Sequence, residues 1–182
     1  MGHLALDASQ LGQLADFYGG VAHTLSPAWS YASSFLILIV LVLFFVGFAR
    51  LMGYGPFVGL IAALYIGYAL YAVFPYGEYL PSGPPMTALG ARVALYLGFF
   101  VISYILLRKI AASDFVHIGT VGLIVIAVCT AGFIMALAYQ SFPVRTVYQF
   151  SASLDQLFAA KEWFFAWFAA PIAALYLFAH AR

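Results

Sequence analysis

A polar stripe on the third apolar segment is the strongest candidate for chemistry in this chain. Arg92, Tyr96 and Ser103 recur at spacings of four and seven residues, which places them on one face of a helix. An arginine within an apolar helix costs roughly 2.5–3.5 kcal/mol to insert, so it needs a compensating interaction. Either the side chain extends along the helix to the lipid headgroups, or it faces the bundle and binds an anionic group. The second alternative predicts a ligand- or lipid-binding stripe formed by Arg92, Tyr96 and Ser103.

Two histidines offer a weaker candidate. His117 lies near the start of the fourth apolar segment and His180 near the end of the last one. If those helices pack together, the two imidazoles could meet near one membrane surface, as a haem-ligating pair would. Neither histidine has a neighbouring carboxylate to orient it, so polar helix ends are the simpler interpretation. We therefore predict no cofactor and no metal, and keep a redox subunit as a weak hypothesis.

The patterns of known catalytic sites are missing from the sequence. It contains no phosphate-binding glycine loop, no HExxH and no GxSxG. Asp155 and Glu162 are seven residues apart beside Lys161, which is typical of the solvated face of an interfacial helix. Cys129 is the single cysteine, so no intrachain disulfide can form. These observations predict a protein that is not an enzyme and has no catalytic residues.

The composition indicates a membrane protein. Hydrophobic residues make up 66% of the 182 residues and charged residues 7%, whereas soluble domains average ~25% charged residues. So few polar groups cannot cover the surface of a soluble protein, so the apolar surface must face lipid. The formal net charge of +1 and the absence of a basic stripe give no reason to expect a nucleic-acid partner.

Long apolar runs separated by glycine, proline and charged residues predict an all-α membrane bundle. Each run is about long enough to cross ~30 Å of hydrocarbon as a helix. Residues 1–182 therefore form a single membrane domain of five transmembrane helices with an N-terminal interfacial helix. The predicted spans are 27–52, 56–74, 86–107, 115–139 and 163–181, and the predicted interfacial helices are 4–18 and 154–162. Ser153 and Gln156 have the spacing of a capping box at the start of the last helical segment.

The basic residues predict an orientation. For five spans, one side receives four of them and the other side two. The first group comprises Arg50, Arg108, Lys109 and Arg182, and the second comprises Arg145 and Lys161. We expect the first group to be cytoplasmic, with the N-terminus outside and the C-terminus in the cytoplasm, in the plasma or inner membrane.

Small residues form two seams at a strict spacing of four. Successive members rotate by only ~40° around a helix, so each seam is a continuous face on which another helix can approach closely. Such a face either holds the helices of one chain together or contacts a second copy or another membrane subunit. The first seam comprises Gly55, Gly59, Ala63 and Gly67, and the second comprises Gly90, Ala94 and Gly98.

Three functional hypotheses follow. The first is a non-catalytic packing, assembly or scaffold component of a homo-oligomer or a larger membrane complex. The alternative is a small transporter, channel or lipid-binding protein that uses the stripe on the third span. The third is the redox subunit. The layout of short hairpins and glycine-rich helices resembles the colicin V production protein family in topology and composition. It equally resembles accessory subunits of respiratory or transport complexes. Neither resemblance implies site residues.

Overall fold

The computed structural model describes residues 35–81, 83–110, 119–142, 144–148 and 150–180. The chain divides into Met1–Ile37 and one compact unit, Leu38–Arg182, and the packing below concerns the second unit. Within the described ranges the structure is helical and contains no strand, which confirms the all-α class. The helices are α1 (Phe35–Met52), α2 (Tyr54–Ala72), α3 (Pro85–Ile110), α4 (Thr120–Ser141), α5 (Ala152–Phe158) and α6 (Lys161–His180).

Four of these helices are long and apolar enough to cross a membrane. They are α1, α2, α3 through Lys109, and α4, with 18, 19, 25 and 22 residues. This confirms a membrane helix bundle. The fifth predicted span corresponds to α6, which is not among the four and which begins with Lys161 and Glu162. The predicted interfacial helix 4–18 and the start of the first span lie outside the described residues.

The boundaries of the second and third helices differ slightly from prediction. α2 ends at Ala72, two residues early, because Pro75 disfavours helical geometry at the residue before it. α3 continues to Ile110, three residues beyond the predicted end. Arg108 and Lys109, which lie beyond the predicted span 86–107, are therefore helical. They lie in the last turn of α3, where cations interact favourably with the helix dipole.

The fourth helix begins later than predicted in the described chain. Gly119 is extended and precedes the first helical residue, Thr120, and the helix ends at Ser141. The earlier residues of the predicted span, 115–118, lie outside the described ranges. Arg50 at the end of α1 donates a hydrogen bond to Thr120 Oγ1 at 3.3 Å. The end of α1 and the start of α4 are therefore at the same end of the bundle.

The last helical region forms two helices, α5 and α6, rather than one continuous helix. α5 ends at Phe158 and α6 starts at Lys161, so the prediction of a helix running from 154 through 162 was wrong. The Gln140 side chain donates hydrogen bonds to the carbonyls of Phe158 and Ala159, at 3.2 and 3.0 Å. These carbonyls at the end of α5 thus find a partner outside the helix, which stabilises the break.

The start of α5 also differs from prediction. Ser151 precedes the first helical residue and makes no side-chain capping bond, so the predicted capping box of Ser153 and Gln156 is not the start of the helix.

Aromatic side chains connect α2 to the other long helices. Phe45 of α1 lies 6.2 Å, centroid to centroid, from Phe57 of α2. The Tyr65 ring stacks on Phe133 of α4 at 4.7 Å, and its hydroxyl donates a hydrogen bond to the Phe168 carbonyl of α6. In lipid, such packing and interhelical hydrogen bonds replace the hydrophobic drive that is absent there.

The contact between α4 and α6 is close. A Cβ added to Gly132 would overlap the Trp167 ring, so only glycine fits there. The Trp167 indole nitrogen donates a hydrogen bond to the Leu157 carbonyl at 3.2 Å, which ties α6 to α5. Pro171 is buried within α6, and the helix continues on both sides of it.

Candidate functional site

The small-residue seam of α2 lies inside the bundle. All four of its residues, Gly55, Gly59, Ala63 and Gly67, are buried. A Cβ on Gly67 would lie 3.0 Å from both the backbone nitrogen and the Cα of Phe100 on α3. Backbone atoms cannot rotate away as a side chain can, so glycine is what permits α2 and α3 to approach here.

The seam of α3 lies on the outside of the chain. Gly90, Ala94 and Gly98 are all exposed. A Cβ built on Gly90 or Gly98 would meet no atom within 4 Å. The same pattern of small residues that holds α2 against α3 therefore has no packing partner within the described chain.

The polar stripe of α3 occupies the opposite, inward face. Tyr96 and Ser103 are 7% and 4% exposed, and the Tyr96 hydroxyl lies 3.4 Å from the Leu64 carbonyl of α2. Arg92, one turn nearer the helix start, is exposed. The stripe is thus divided into a cation at the surface and two polar groups in the interior.

An apolar cavity of about 450 Å³ lies beside this stripe, between α1, α2, α3 and α4. Its walls are hydrocarbon and aromatic rings, and hydroxyls come only from its two tyrosines. The lining residues are Leu41, Phe44, Phe45, Phe48, Leu60, Leu64, Val93, Tyr96, Leu97, Phe100, Tyr104, Ile134, Leu137, Ala138, Phe142 and Val144.

The cavity is elongated along α3. Its lining extends from Val93 to Tyr104, which corresponds to about 16 Å at ~1.5 Å per residue. That length is about half of a ~30 Å hydrocarbon layer. Two lining side chains, Phe44 of α1 and Leu97 of α3, are 58% and 47% exposed, so the cavity opens laterally between these helices.

One end of the cavity is bordered by polar residues. Val144 lines it, and Arg145 follows directly in the chain. Arg145 pairs with Asp155 at 3.5 Å, and these two side chains surround a second pocket of about 340 Å³ together with Tyr148 and Phe150. Because the Arg145 side chain is 57% exposed, this ion pair contributes ~0–1 kcal/mol to stability.

The described residues place neither a metal cluster nor the haem-ligating pair of histidines. In the described part of the chain, no group of three or more His, Cys, Asp and Glu residues could hold a metal ion. His117 lies outside the described residues and His180 is the last residue of α6, so their proposed meeting stays a prediction.

Apart from Tyr96, the residues that line the cavity were not predicted from the sequence. Phe44, Phe45 and Phe48 belong to a uniformly apolar segment whose periodicity does not separate a lipid face from a cavity face. The Gly132–Trp167 contact was also missed, because a single glycine in an alanine-rich helix gives no seam. Its only signal was the glycine itself, which is unfavourable within a helix.

No family model, no curated protein and no solved structure gives a significant match to this chain. The resemblance in topology noted from the sequence is therefore supported by no family match, and the function must be argued from the molecule itself.

Proposed function

We propose that this chain is a non-catalytic membrane component that assembles with a second copy of itself, or with another membrane subunit, along the outward face of α3. The observation that carries the proposal is the exposed seam of Gly90, Ala94 and Gly98. Small residues that face only lipid give no packing advantage, whereas a helix docked against them gains close backbone approach.

The position of α3 at the edge of the bundle supports this proposal. Within an 18-residue apolar stretch of each helix, only 11% of the residues of α3 are buried, against 61% for α4. The residues beside the seam, such as Val101 and Ile105, are apolar and exposed, at 47% and 54%. A neighbouring helix would therefore meet an apolar surface with a central groove of small residues.

We further propose that α6 is a fifth span, with the N-terminus outside and the C-terminus cytoplasmic. Its 20 residues span about 30 Å. It starts beside the end of α4 and packs along that helix through Gly132 and Trp167. A reporter fused to the C-terminus tests this: a fluorescent protein should be active there and a periplasmic phosphatase inactive, and the reverse result would exclude the orientation.

The absence of catalytic chemistry from the cavity wall supports a non-enzymatic role. Its lining contains no carboxylate, histidine or cysteine, so the residues that most often act as general acids and bases are missing from it.

Cysteine cross-linking in native membranes tests the assembly. In a Cys129→Ser background, Ala94→Cys places a thiol on the α3 seam, and Ile66→Cys places one on the exposed side of α2 as a matched control. Oxidation should produce a dimer, or a conjugate with another membrane protein, from Ala94→Cys only. Monomer from both variants, together with a monomer mass in gentle detergent, would overturn the proposal.

A further inference from the structure

We propose that the cavity between α1, α2, α3 and α4 binds one acyl chain of an anionic phospholipid, whose phosphate lies beside Arg92 and Arg145. This site goes beyond the assembly proposed above and does not depend on it. It uses the bundle side of α3, whereas the seam of Gly90, Ala94 and Gly98 faces outward.

The walls of the cavity suit a hydrocarbon chain. A volume of about 450 Å³ falls within the ~300–1,000 Å³ typical of ligand sites. The lining is apolar over a length of about half the hydrocarbon layer, which matches a chain that belongs to one leaflet. An empty cavity leaves its lining atoms without dispersion partners, and an acyl chain restores those contacts.

The lateral opening identifies the source of the chain. Phe44 and Leu97 are both lining and exposed, and they belong to helices apolar enough to lie in a membrane. The medium at this opening is therefore lipid. An acyl chain of the bilayer can enter there without crossing water, which favours a resident phospholipid over a ligand from solution.

The charges at one end of the cavity select the headgroup. Arg92 directly precedes the lining residue Val93, and Arg145 directly follows the lining residue Val144. The Tyr96 and Phe142 rings, 5.6 Å apart, place this part of α3 beside the segment that follows α4. Each arginine is therefore next in the chain to a residue that lines the same end of the cavity. Guanidinium groups pair with phosphate through directed hydrogen bonds.

An anionic headgroup fits this end better than a zwitterionic one. Asp155 already accepts a hydrogen bond from Arg145 at 3.5 Å and so offsets part of that charge. A headgroup with its own ammonium group would add a further cation beside two arginines. A phosphatidylglycerol phosphate adds only negative charge, which the remaining positive potential favours.

Native mass spectrometry on the full-length protein tests the acyl-chain site. The protein is reconstituted in bilayers of phosphatidylcholine and phosphatidylglycerol at 4:1 and then released into mild detergent. The wild type should retain one phosphatidylglycerol. Ala138→Phe fills the cavity and should abolish retention, whereas Val128→Phe, on the same helix away from the cavity, should not.

The headgroup site is tested by variants that leave the core untouched. Arg92→Gln and Arg145→Gln should each reduce the preference for phosphatidylglycerol over phosphatidylcholine about fivefold, as expected for one cation near a lipid phosphate. Arg108→Gln, at the opposite end of α3, is the matched control and should leave the preference unchanged.

Four results would overturn the proposal. They are no retained lipid on the wild type, equal retention by a correctly folded Ala138→Phe, an unchanged lipid preference in both arginine variants, and a free fatty acid in place of a phospholipid. The same spectra report the number of chains in each complex. Loss of lipid with an intact assembly, or the converse, therefore separates failure of this site from failure of the proposed function.

Discussion

The seams of α2 and α3 have the same sequence pattern and opposite environments. Gly55, Gly59, Ala63 and Gly67 are buried, and at Gly67 the backbone of α3 lies where a side chain would begin. The α3 seam of Gly90, Ala94 and Gly98 is exposed, with open space around its built Cβ positions. The first seam stabilises the fold of one chain, and the second remains available to another.

The difference shows that a small-residue seam specifies close approach and not the identity of the partner. α2 lies between four helices, so its seam must be covered by this chain. α3 turns its aromatic and polar face, which includes Tyr96 and Ser103, toward α2 and thereby turns its seam away. Variants at equivalent positions of the two seams should therefore affect two different properties, namely folding and assembly.

The largest expected effect is that of Gly67→Leu on folding. The new side chain would overlap the Phe100 backbone, which cannot move without shifting α3. We expect a loss of about 3 kcal/mol in the free energy of unfolding, the upper part of the overpacking range. Titration of the protein from mild detergent into SDS measures it. Gly98→Leu is the control, and equal stability of both variants would contradict the close approach of α2 to α3.

The next effect is that of Gly98→Leu on assembly. A Cβ at this position meets no atom of the described chain within 4 Å, so we expect the monomer to unfold as the wild type does. In a docked helix pair, however, it would overpack the contact and weaken association about tenfold, for a cost of ~1.4 kcal/mol. Dilution of labelled protein in detergent, followed by energy transfer, measures the dissociation constant. Unaltered association would remove the α3 seam from the interface.

A smaller effect is expected for Tyr65→Phe, on the side of α2 that faces α4 and α6. The hydroxyl of Tyr65 donates to the Phe168 carbonyl, while its ring stacks on Phe133. The variant keeps the ring and loses only the hydrogen bond, which in membrane proteins averages ~0.6 kcal/mol. The same SDS titration measures the loss. A loss above ~2 kcal/mol would mean that the hydroxyl has a further role.

The smallest effect should come from Tyr96→Phe. Its hydroxyl lies 3.4 Å from the Leu64 carbonyl, longer than the ~2.7–2.8 Å of a typical O–H···O bond. We expect a change in unfolding free energy of less than about 0.5 kcal/mol, since the ring contacts with Tyr71 and Phe142 persist. A larger loss, measured against Tyr65→Phe, would indicate that the inward stripe of α3 contributes more than packing.

The sequence predicted the helices better than their ends. Four of the five predicted spans emerge as α1 to α4 because length and hydropathy alone decide whether a segment can cross lipid. The break between α5 and α6 could not be predicted, because it depends on Gln140, a residue of α4 that reaches the carbonyls at the end of α5. A local sequence pattern cannot predict a hydrogen bond between two residues that are 18 or 19 positions apart.

Two faces of α3 could be distinguished from the sequence. Periodicity places the seam on one face and Arg92, Tyr96 and Ser103 on the other, because a helix fixes the angle between its own residues. It did not show which of the two faces is inside. The cavity could not be predicted for the same reason. Its wall combines residues from four helices, and the sequence of one helix does not show which other helices it packs against.

The sequence by itself determined that this protein resides in a membrane, because almost no charged residues are available to cover a surface in water. It also determined which residues share a helix face. Only the tertiary structure decided that the α2 seam is buried, that the α3 seam is exposed and that a cavity lies between α1, α2, α3 and α4. The physical reason is that lipid is as apolar as the protein interior, so hydrophobicity cannot separate inside from outside, and shape and packing between distant helices make that choice.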